Sequence, residues 1–117
     1  MSQMQSNNIQ QKPKVINIVW TLQGRKKFLG RVIDDVFYTK REFKHKFINY
    51  DGFGFNFDLI KSLKAMKVRK VVLDYEGQSY EISIDDILRY GIEKEFFPYE
   101  KQIIVNINYF KPIKKEG

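Results

Sequence analysis

The sequence RKKFLGRVIDDVFYTK, residues 25–40, decides which fold the chain adopts because it fits two kinds of structure. Its apolar residues recur at the i, i+1, i+4 and i+5 spacing of one helical face. On that spacing we predict a helix over residues 25–38, the second helix of the fold. The apolar residues are Phe28, Leu29, Val32, Ile33, Val36 and Phe37.

The same stretch also fits a β-hairpin. Gly30 lies in the middle of the predicted helix, and the residues around it are rich in β-branched and aromatic types, which favour strands. Asp34 and Asp35 would then form the turn between strands at 28–33 and 36–40. The sequence leaves this alternative open.

The segment after Asn56 carries the clearest helix signal in the chain. Asn56 is an N-cap candidate, and an apolar stripe at helical spacing runs over residues 57–67. Lysines about three residues apart occupy the opposite face, and those in the last turn also suit the negative end of the helix dipole. We therefore predict an amphipathic helix over 57–67. The stripe consists of Leu59, Ile60, Leu63 and Met66, and the lysines are Lys61, Lys64 and Lys67.

Several other segments have the composition of short strands. The segments at 70–75 and 78–83 are separated by Glu76-Gly77, a typical hairpin turn. Ser83 is the N-cap candidate of a short helix that Gly91 would end. We predict an α+β fold, with a small antiparallel or mixed sheet of four to five strands packed on the helix at 57–67. The further predicted strands cover residues 14–22, 43–50 and 101–109.

The length of 117 residues, with 43% hydrophobic residues, suits one compact domain. Residues 1–13 are rich in Gln, Asn and Ser, and we expect them to form a disordered tail. The single α+β domain is predicted to cover 14–110, and 111–117 form a charged tail.

The absence of cysteine excludes disulfides, thiolate nucleophiles and thiolate zinc sites. The longest apolar runs are about four residues, far below the ~20 that span a bilayer, so we predict no membrane partner. The first residues lack the apolar region of a signal peptide, and we expect a cytoplasmic protein. The sequence predicts no cofactor.

The net charge of +7 is distributed unevenly along the chain. Residues 25–70 carry +8, whereas residues 71–100 carry −6. A continuous basic face attracts polyanions, of which nucleic acid is the commonest. A lysine-rich composition also follows from an AT-biased genome, because alanine is nearly absent and lysine outnumbers arginine 16 to 5.

We predict a small non-enzymatic protein that binds DNA or RNA through basic residues interleaved with aromatic ones. Basic side chains neutralise phosphates, and aromatic rings stack on bases. His45 lies between Lys44 and Lys46 and is either a structural residue or a contact to phosphate or base. The predicted interface consists of the basic residues Arg25, Lys26, Lys27, Lys40, Arg41, Lys44, His45, Lys46, Lys61 and Lys64, and of the rings Tyr38, Tyr50, Phe53 and Phe55.

Two of these rings belong to the sequence Gly52-Phe53-Gly54-Phe55. This sequence is similar to the centre of the RNP1 strand of RNA-recognition motifs, in which aromatic rings stack on bases. Four of eight positions agree with that motif, whereas Asp51, Asn56 and Asp58 depart from it. We therefore assign no family on this similarity.

Two other functions stay open. The first is a protein-interaction module, such as an inhibitor or accessory factor, that docks through an acidic face or through an edge strand at 101–109, where a homodimer could also form. The second is a metal-dependent nuclease, which needs two converging carboxylates. The candidate carboxylates are Asp74, Glu76, Glu81, Asp85 and Asp86.

Overall fold

A computed structural model describes residues 13–22, 24–39, 52–96 and 100–114. Of these residues 61% lie in strands and 22% in helices. The predicted α+β sheet of four to five strands on one main helix is therefore wrong. The elements are β1 Val15–Leu22, β2 Arg25–Ile33, β3 Val36–Thr39, β4 Gly52–Asn56, α1 Phe57–Ala65, β5 Lys70–Tyr75, β6 Gln78–Ser83, α2 Ile84–Tyr90, β7 Ile92–Phe96, β8 Glu100–Asn106, a 3-10 helix Ile107–Tyr109 and β9 Lys111–Ile113.

The nine strands form two sheets. The first has six strands in the order β1-β2-β3-β5-β6-β9, and the second has three in the order β4-β8-β7. All pairs are antiparallel except β3 with β5, which is parallel. Parallel neighbours cannot be joined by a tight turn. The chain between β3 and β5 accordingly contains β4 and α1, which belong to the second layer.

The helix predicted over 25–38 is wrong, and the hairpin alternative is what forms. A β-bulge explains why the apolar spacing resembled that of a helix. Ile18 of β1 pairs with Gly30, but Val19 pairs with Phe28, so Leu29 has no partner in register. The extra residue shifts the in-and-out alternation of β2 by one. As a result Leu29 and Val32, three residues apart, are both buried.

Gly30 is required where β2 bends at this bulge. Its φ of +150° belongs to a region that L side chains rarely adopt. A Cβ at this position would lie 2.3 Å from the carbonyl oxygen of Tyr38 and 2.9 Å from the Phe37 ring. The close packing of Phe37 over the bulge therefore depends on the missing side chain.

The core lies between the two sheets and the helices. The second sheet contributes one face of β4 and β8, α1 contributes its apolar stripe, and the first sheet contributes the inward residues of β1, β2, β3, β5 and β6. The most deeply buried side chains are Phe37, Leu29, Ile60, Leu63, Leu73, Ile84, Ile87, Ile103, Val71 and Val105. Neither α1 nor α2 is long and apolar enough to cross a lipid bilayer.

The local predictions around the helices are confirmed at their starts. Asn56 caps α1, because its Oδ1 accepts from the N–H of Leu59 at 2.9 Å. Ser83 caps α2 in the same way, through the N–H of Asp86 at 3.0 Å. α1 ends at Ala65, before the predicted 67, because Lys67 adopts a left-handed conformation with a φ of 69°.

The predicted bounds of the strands agree with the structure in some cases and differ in others. The hairpin of β5 and β6 forms with the predicted bounds. The strand predicted over 101–109 ends at Asn106, where the 3-10 helix begins. The strand predicted over 43–50 lies outside the described residues.

Arg69, immediately before β5, ties the two halves of the six-stranded sheet together. Its backbone N–H donates to the carbonyl of Asp35 at 2.7 Å, and its carbonyl accepts from the N–H of Ile84 at 2.9 Å. Its side-chain Nε also donates to Asp35 Oδ2 at 2.9 Å. The hydrogen bond from Arg69 holds the pKa of the Asp35 carboxyl below its usual value, and the same bond raises the pKa of Arg69.

We expect Gly30→Ala to lower the free energy of unfolding by about 2–5 kcal/mol, through backbone strain and the clash with Tyr38 and Phe37. Gly24→Ala is the matched control, because Gly24 also has a positive φ but no atom lies within 4 Å of the added Cβ. The control should cost only about 1–2 kcal/mol. Equal losses in urea denaturation would contradict the role of the close packing.

We expect Asp35→Asn to lower the free energy of unfolding at pH 7, because the substitution removes the charge that pairs with Arg69. The pKa of Asp35 is lowered by folding, so its stabilisation is present above the unfolded value near 3.9 and disappears as the pH falls through the folded pKa. Denaturation at pH 7 and pH 3 should show a difference from wild type that shrinks in acid. Glu76→Gln, at an exposed turn, is the control, and a deficit of Asp35→Asn that is equal at both pH values would exclude the charge as its cause.

Candidate nucleic-acid interface

The outer half of the β1–β2 hairpin is a two-stranded ribbon. Among the described residues, β3 pairs with Gly30 to Ile33 of β2, and residues 25–28 pair with residues 19–22 of β1. These four residue pairs extend about 13 Å at the usual rise per residue in a strand. We refer to residues 19–22 and 25–28 as the ribbon.

The ribbon carries positive charge without any acidic residue. Arg25, Lys26 and Lys27 are exposed at its tip, and Arg31 is exposed at its base. None of the four has an ion-pair partner among the described residues, and no aspartate or glutamate occurs between residues 15 and 33. The field of these residues is therefore not neutralised locally.

One face of the ribbon, which continues onto β3, combines these cations with rings. The guanidinium of Arg31 lies 5.7 Å from the centre of the Phe28 ring. Tyr38 on β3 is the partner of Arg31 in register. Tyr38 is 43% exposed, and Phe28 is half-buried. We call the face that carries Lys26, Phe28, Arg31 and Tyr38 the outer face of the sheet.

The sequence analysis did not predict Phe28 and Arg31 as interface residues. The apolar pattern placed Phe28 on the buried side of a helix, and Arg31 is an isolated cation in that pattern. Reading the same residues as a hairpin with its turn at Asp34-Asp35 would have placed Arg31 opposite Tyr38, but Phe28 reaches the same face only through the bulge at Leu29. The hairpin alternative contained the signal for Arg31.

Six members of the predicted interface lie in the part of the chain that is not described. Their contribution stays a prediction. They are Lys40, Arg41, Lys44, His45, Lys46 and Tyr50.

Phe53 and Phe55 were predicted to stack on bases, but both rings lie in the core. They are 2% and 3% exposed. The Phe53 ring makes edge contacts with Tyr75 at 5.2 Å and with Phe110 at 5.4 Å, and Phe55 stacks on Phe110 at 6.4 Å. Neither ring is open to a base in this arrangement, which removes the physical basis of the similarity to RNP1.

Lys61 and Lys64 are exposed on α1, which packs on β4, β8 and α2 rather than on the ribbon. Lys64 pairs with Asp85 at 3.1 Å. Lys61 lies 5.6 Å from the centre of the Phe57 ring. These lysines therefore belong to a different layer of the molecule from the ribbon.

Local ion pairs neutralise most of the second basic stretch, residues 57–70. Besides Lys64, Arg69 pairs with Asp35 and Lys70 pairs with Glu81. Three of its five basic residues thus have an acidic partner. Among the described residues, Arg25, Lys26 and Lys27 of the ribbon are consecutive cations with no acidic partner.

The acidic residues between 71 and 100 are distributed over β5, the turn after it, β6, α2, β7 and the first residue of β8. Across the described ranges, no group of three or more histidine, aspartate or glutamate side chains is close enough to hold a metal ion. Lys101 is one of the cations that partner these acids, at 2.9 Å from Glu93, and the hydrogen bond that Lys101 donates to the Glu93 carboxylate raises the pKa of Lys101. The carboxylates named for the nuclease alternative are therefore not gathered into a group of three or more among the described residues.

The prediction of a free edge at 101–109 is wrong. β8, which covers most of this segment, lies between β4 and β7 and pairs with both. A strand with two neighbours has no unpaired backbone groups for a partner chain. A homodimer or a protein partner that pairs with this strand is therefore excluded while the sheet is intact.

No family model, no curated protein and no solved structure matches the chain. The functional proposal for this chain is therefore based on the charges, aromatic rings and shape of the described surface.

We expect Phe53→Ala to lower the free energy of unfolding by about 3–5 kcal/mol, as for other buried phenylalanines. Tyr38→Ala is the control, because this exposed ring should contribute less than about 1 kcal/mol. Thermal or urea denaturation measures both. If Phe53→Ala were as stable as wild type, the ring would not be part of the core.

Proposed function

We propose that the protein is a small non-enzymatic nucleic-acid-binding protein of the cytoplasm that contacts DNA or RNA through the ribbon. The observation that carries the proposal is a set of four cations with no ion-pair partner among the described residues, on two strands without acidic residues: Arg25, Lys26, Lys27 and Arg31. Polyanion binding is the function that such a charge distribution supports best.

The shape of the ribbon suits a nucleic-acid groove. The major groove of B-DNA is about 12 Å wide and admits a two-stranded β-ribbon. Side chains of a strand point alternately to its two faces, so Lys26 lies on one face and Arg25 and Lys27 on the other. A ribbon inserted in a groove would therefore present cations to the phosphates on both sides.

The outer face also suits a single strand. Phe28 and Tyr38 flank Arg31, so rings and a cation alternate over a short distance. A base stacked on an aromatic ring gains about 1–3 kcal/mol, and the neighbouring cation holds the phosphate. This arrangement keeps the predicted role of Tyr38 and adds Phe28 and Arg31 to it.

The salt dependence of binding has a calculable size under this proposal. Each phosphate that a cation neutralises contributes about −0.9 to the slope of log K against log salt on duplex DNA, and about −0.7 on single strands. Four cations therefore give a slope of about −3 to −4 on duplex DNA. Contacts from residues outside the described ranges would add to this value.

We expect the triple variant Arg25→Gln, Lys26→Gln, Lys27→Gln to bind nucleic acid about tenfold more weakly or worse at low salt. The slope should fall in magnitude by about 2–3, because three phosphate contacts are lost. Fluorescence anisotropy with labelled duplex DNA, single-stranded DNA and single-stranded RNA, each over a series of salt concentrations, measures both quantities.

The matched control is the triple variant Arg89→Gln, Lys94→Gln, Lys114→Gln, which removes the same number of each basic residue at exposed positions away from the ribbon. The control should keep the wild-type affinity to within a few-fold. Equal weakening by both variants would mean that net charge alone drives binding. Absence of binding by the wild-type chain at low salt would remove the proposal.

A further inference from the structure

A pocket of about 200 Å³ lies near the opposite edge of the six-stranded sheet, beside β6 and β9. Residues from β5, β6, α2, the 3-10 helix and β9 line it, together with the residue before β5. We call it the β9 pocket. Its polar and aromatic lining includes Arg69, Lys70, Glu81, Asp86, Tyr109 and Lys111.

Tyr109, which lines the β9 pocket, belongs to an exposed aromatic stack. The rings of Tyr90 and Tyr109 are parallel to within 5°, with their centres 4.4 Å apart. Tyr109 remains 45% exposed although one face of its ring is covered by Tyr90. Because Tyr109 lines the pocket, its exposed surface is available to a planar group that enters.

The charged groups of the pocket are only partly satisfied by one another. Lys70 and Glu81 form an ion pair, and Nε of Arg69 donates to Asp35. The two terminal nitrogens of Arg69 have no partner within the described part of the chain. The Lys111 ammonium and the Asp86 carboxylate also have no partner within that part of the chain. The pocket therefore offers two donor groups, on Arg69 and Lys111, and one acceptor group, on Asp86.

This combination matches the chemistry of a nucleotide. A base can stack on Tyr109, its exocyclic amine can donate to Asp86, and its phosphate can accept from Arg69 and Lys111. A bare phosphate would be repelled by the Asp86 carboxylate, and an apolar ligand would leave these charges desolvated. The volume lies below the ~300–1,000 Å³ of pockets that enclose drug-sized ligands, so a nucleotide bound here would remain partly exposed to solvent.

We propose that the β9 pocket is a nucleotide subsite, which holds one amino-bearing base of a single strand with its phosphate. The inference rests on the proposed binding of nucleic acid and names one contact of the bound strand. Cytosine, adenine and guanine carry an exocyclic amine, whereas uracil and thymine do not. The pocket therefore prefers the first three.

The test titrates the full chain with cytidine 5′-monophosphate and uridine 5′-monophosphate and follows the backbone amides by NMR. Amides of β6, the 3-10 helix and β9 should shift, and the cytidine nucleotide should bind several-fold more tightly. Tyr109→Ala should weaken binding about fivefold or more, whereas Tyr109→Phe keeps the stack and should bind as wild type. Asp86→Ala should remove the preference for cytidine, and Lys111→Gln should weaken both nucleotides.

Oligonucleotides separate this proposal from the function of the ribbon. Oligo(dC) should bind more tightly than oligo(dT), and Tyr109→Ala should reduce this difference without changing affinity for duplex DNA. If oligonucleotides bind through the ribbon but Tyr109→Ala has no effect and no pocket amide shifts, the subsite is excluded and the proposed function stands. If mononucleotides bind in the pocket but no oligonucleotide binds the chain, the assignment to a strand is overturned together with the proposed function.

Discussion

The parallel pairing of β3 with β5 is the constraint on which the six-stranded sheet depends, and Arg69 holds it in place. The strands β1 to β3 form one antiparallel unit, and β5, β6 and β9 form another. Asp35, in the turn between β2 and β3 of the first unit, accepts from both the backbone and the side chain of Arg69 at the start of the second. The carbonyl of Arg69 then fixes the first residue of α2 through Ile84. One residue thus sets the position of a strand, a turn and a helix.

This constraint also positions the ribbon and the β9 pocket, the two surfaces for which we propose a function. The ribbon extends beyond β3, at the β1 edge, because β3 is only four residues long. Arg69 lines the β9 pocket, and its two terminal nitrogens have no partner among the described residues. The residue that joins the halves of the sheet is therefore also part of a surface with unsatisfied donors. Structure and proposed chemistry share the same side chain.

The parts of the fold that depend on local sequence were predictable. The caps by Asn56 and Ser83 and the turn at Glu76-Gly77 are each determined within about four residues, and they form as expected. The bulge at Leu29 was not predictable, because it exists only in the pairing of β2 with β1. On the sequence alone, the apolar pairs of residues 28–37 recur with the period of a helix. Their local spacing therefore predicts a helix where two strands form.

The candidate site shows the same division. Lys26 and its neighbours stand in a run of basic residues next to a turn signal, and their exposure followed from the sequence. The burial of Phe53 and Phe55 depends on Phe110 and Tyr75, which are distant in the chain. The partners of Lys64 and Arg69 are 21 and 34 residues away. No pattern of neighbouring residues identifies which cations are neutralised by such distant acids.

The register of the six-stranded sheet links the two surfaces in a single row of side chains. Arg31, Tyr38, Val72, Glu81 and Lys111 are successive partners across β2, β3, β5, β6 and β9. They lie on one face of the sheet, and the four steps between adjacent strands add up to about 19 Å. An oligonucleotide that lies across the strands, rather than along them, could therefore reach both surfaces. The row sets the shortest footprint for such a ligand at about 19 Å.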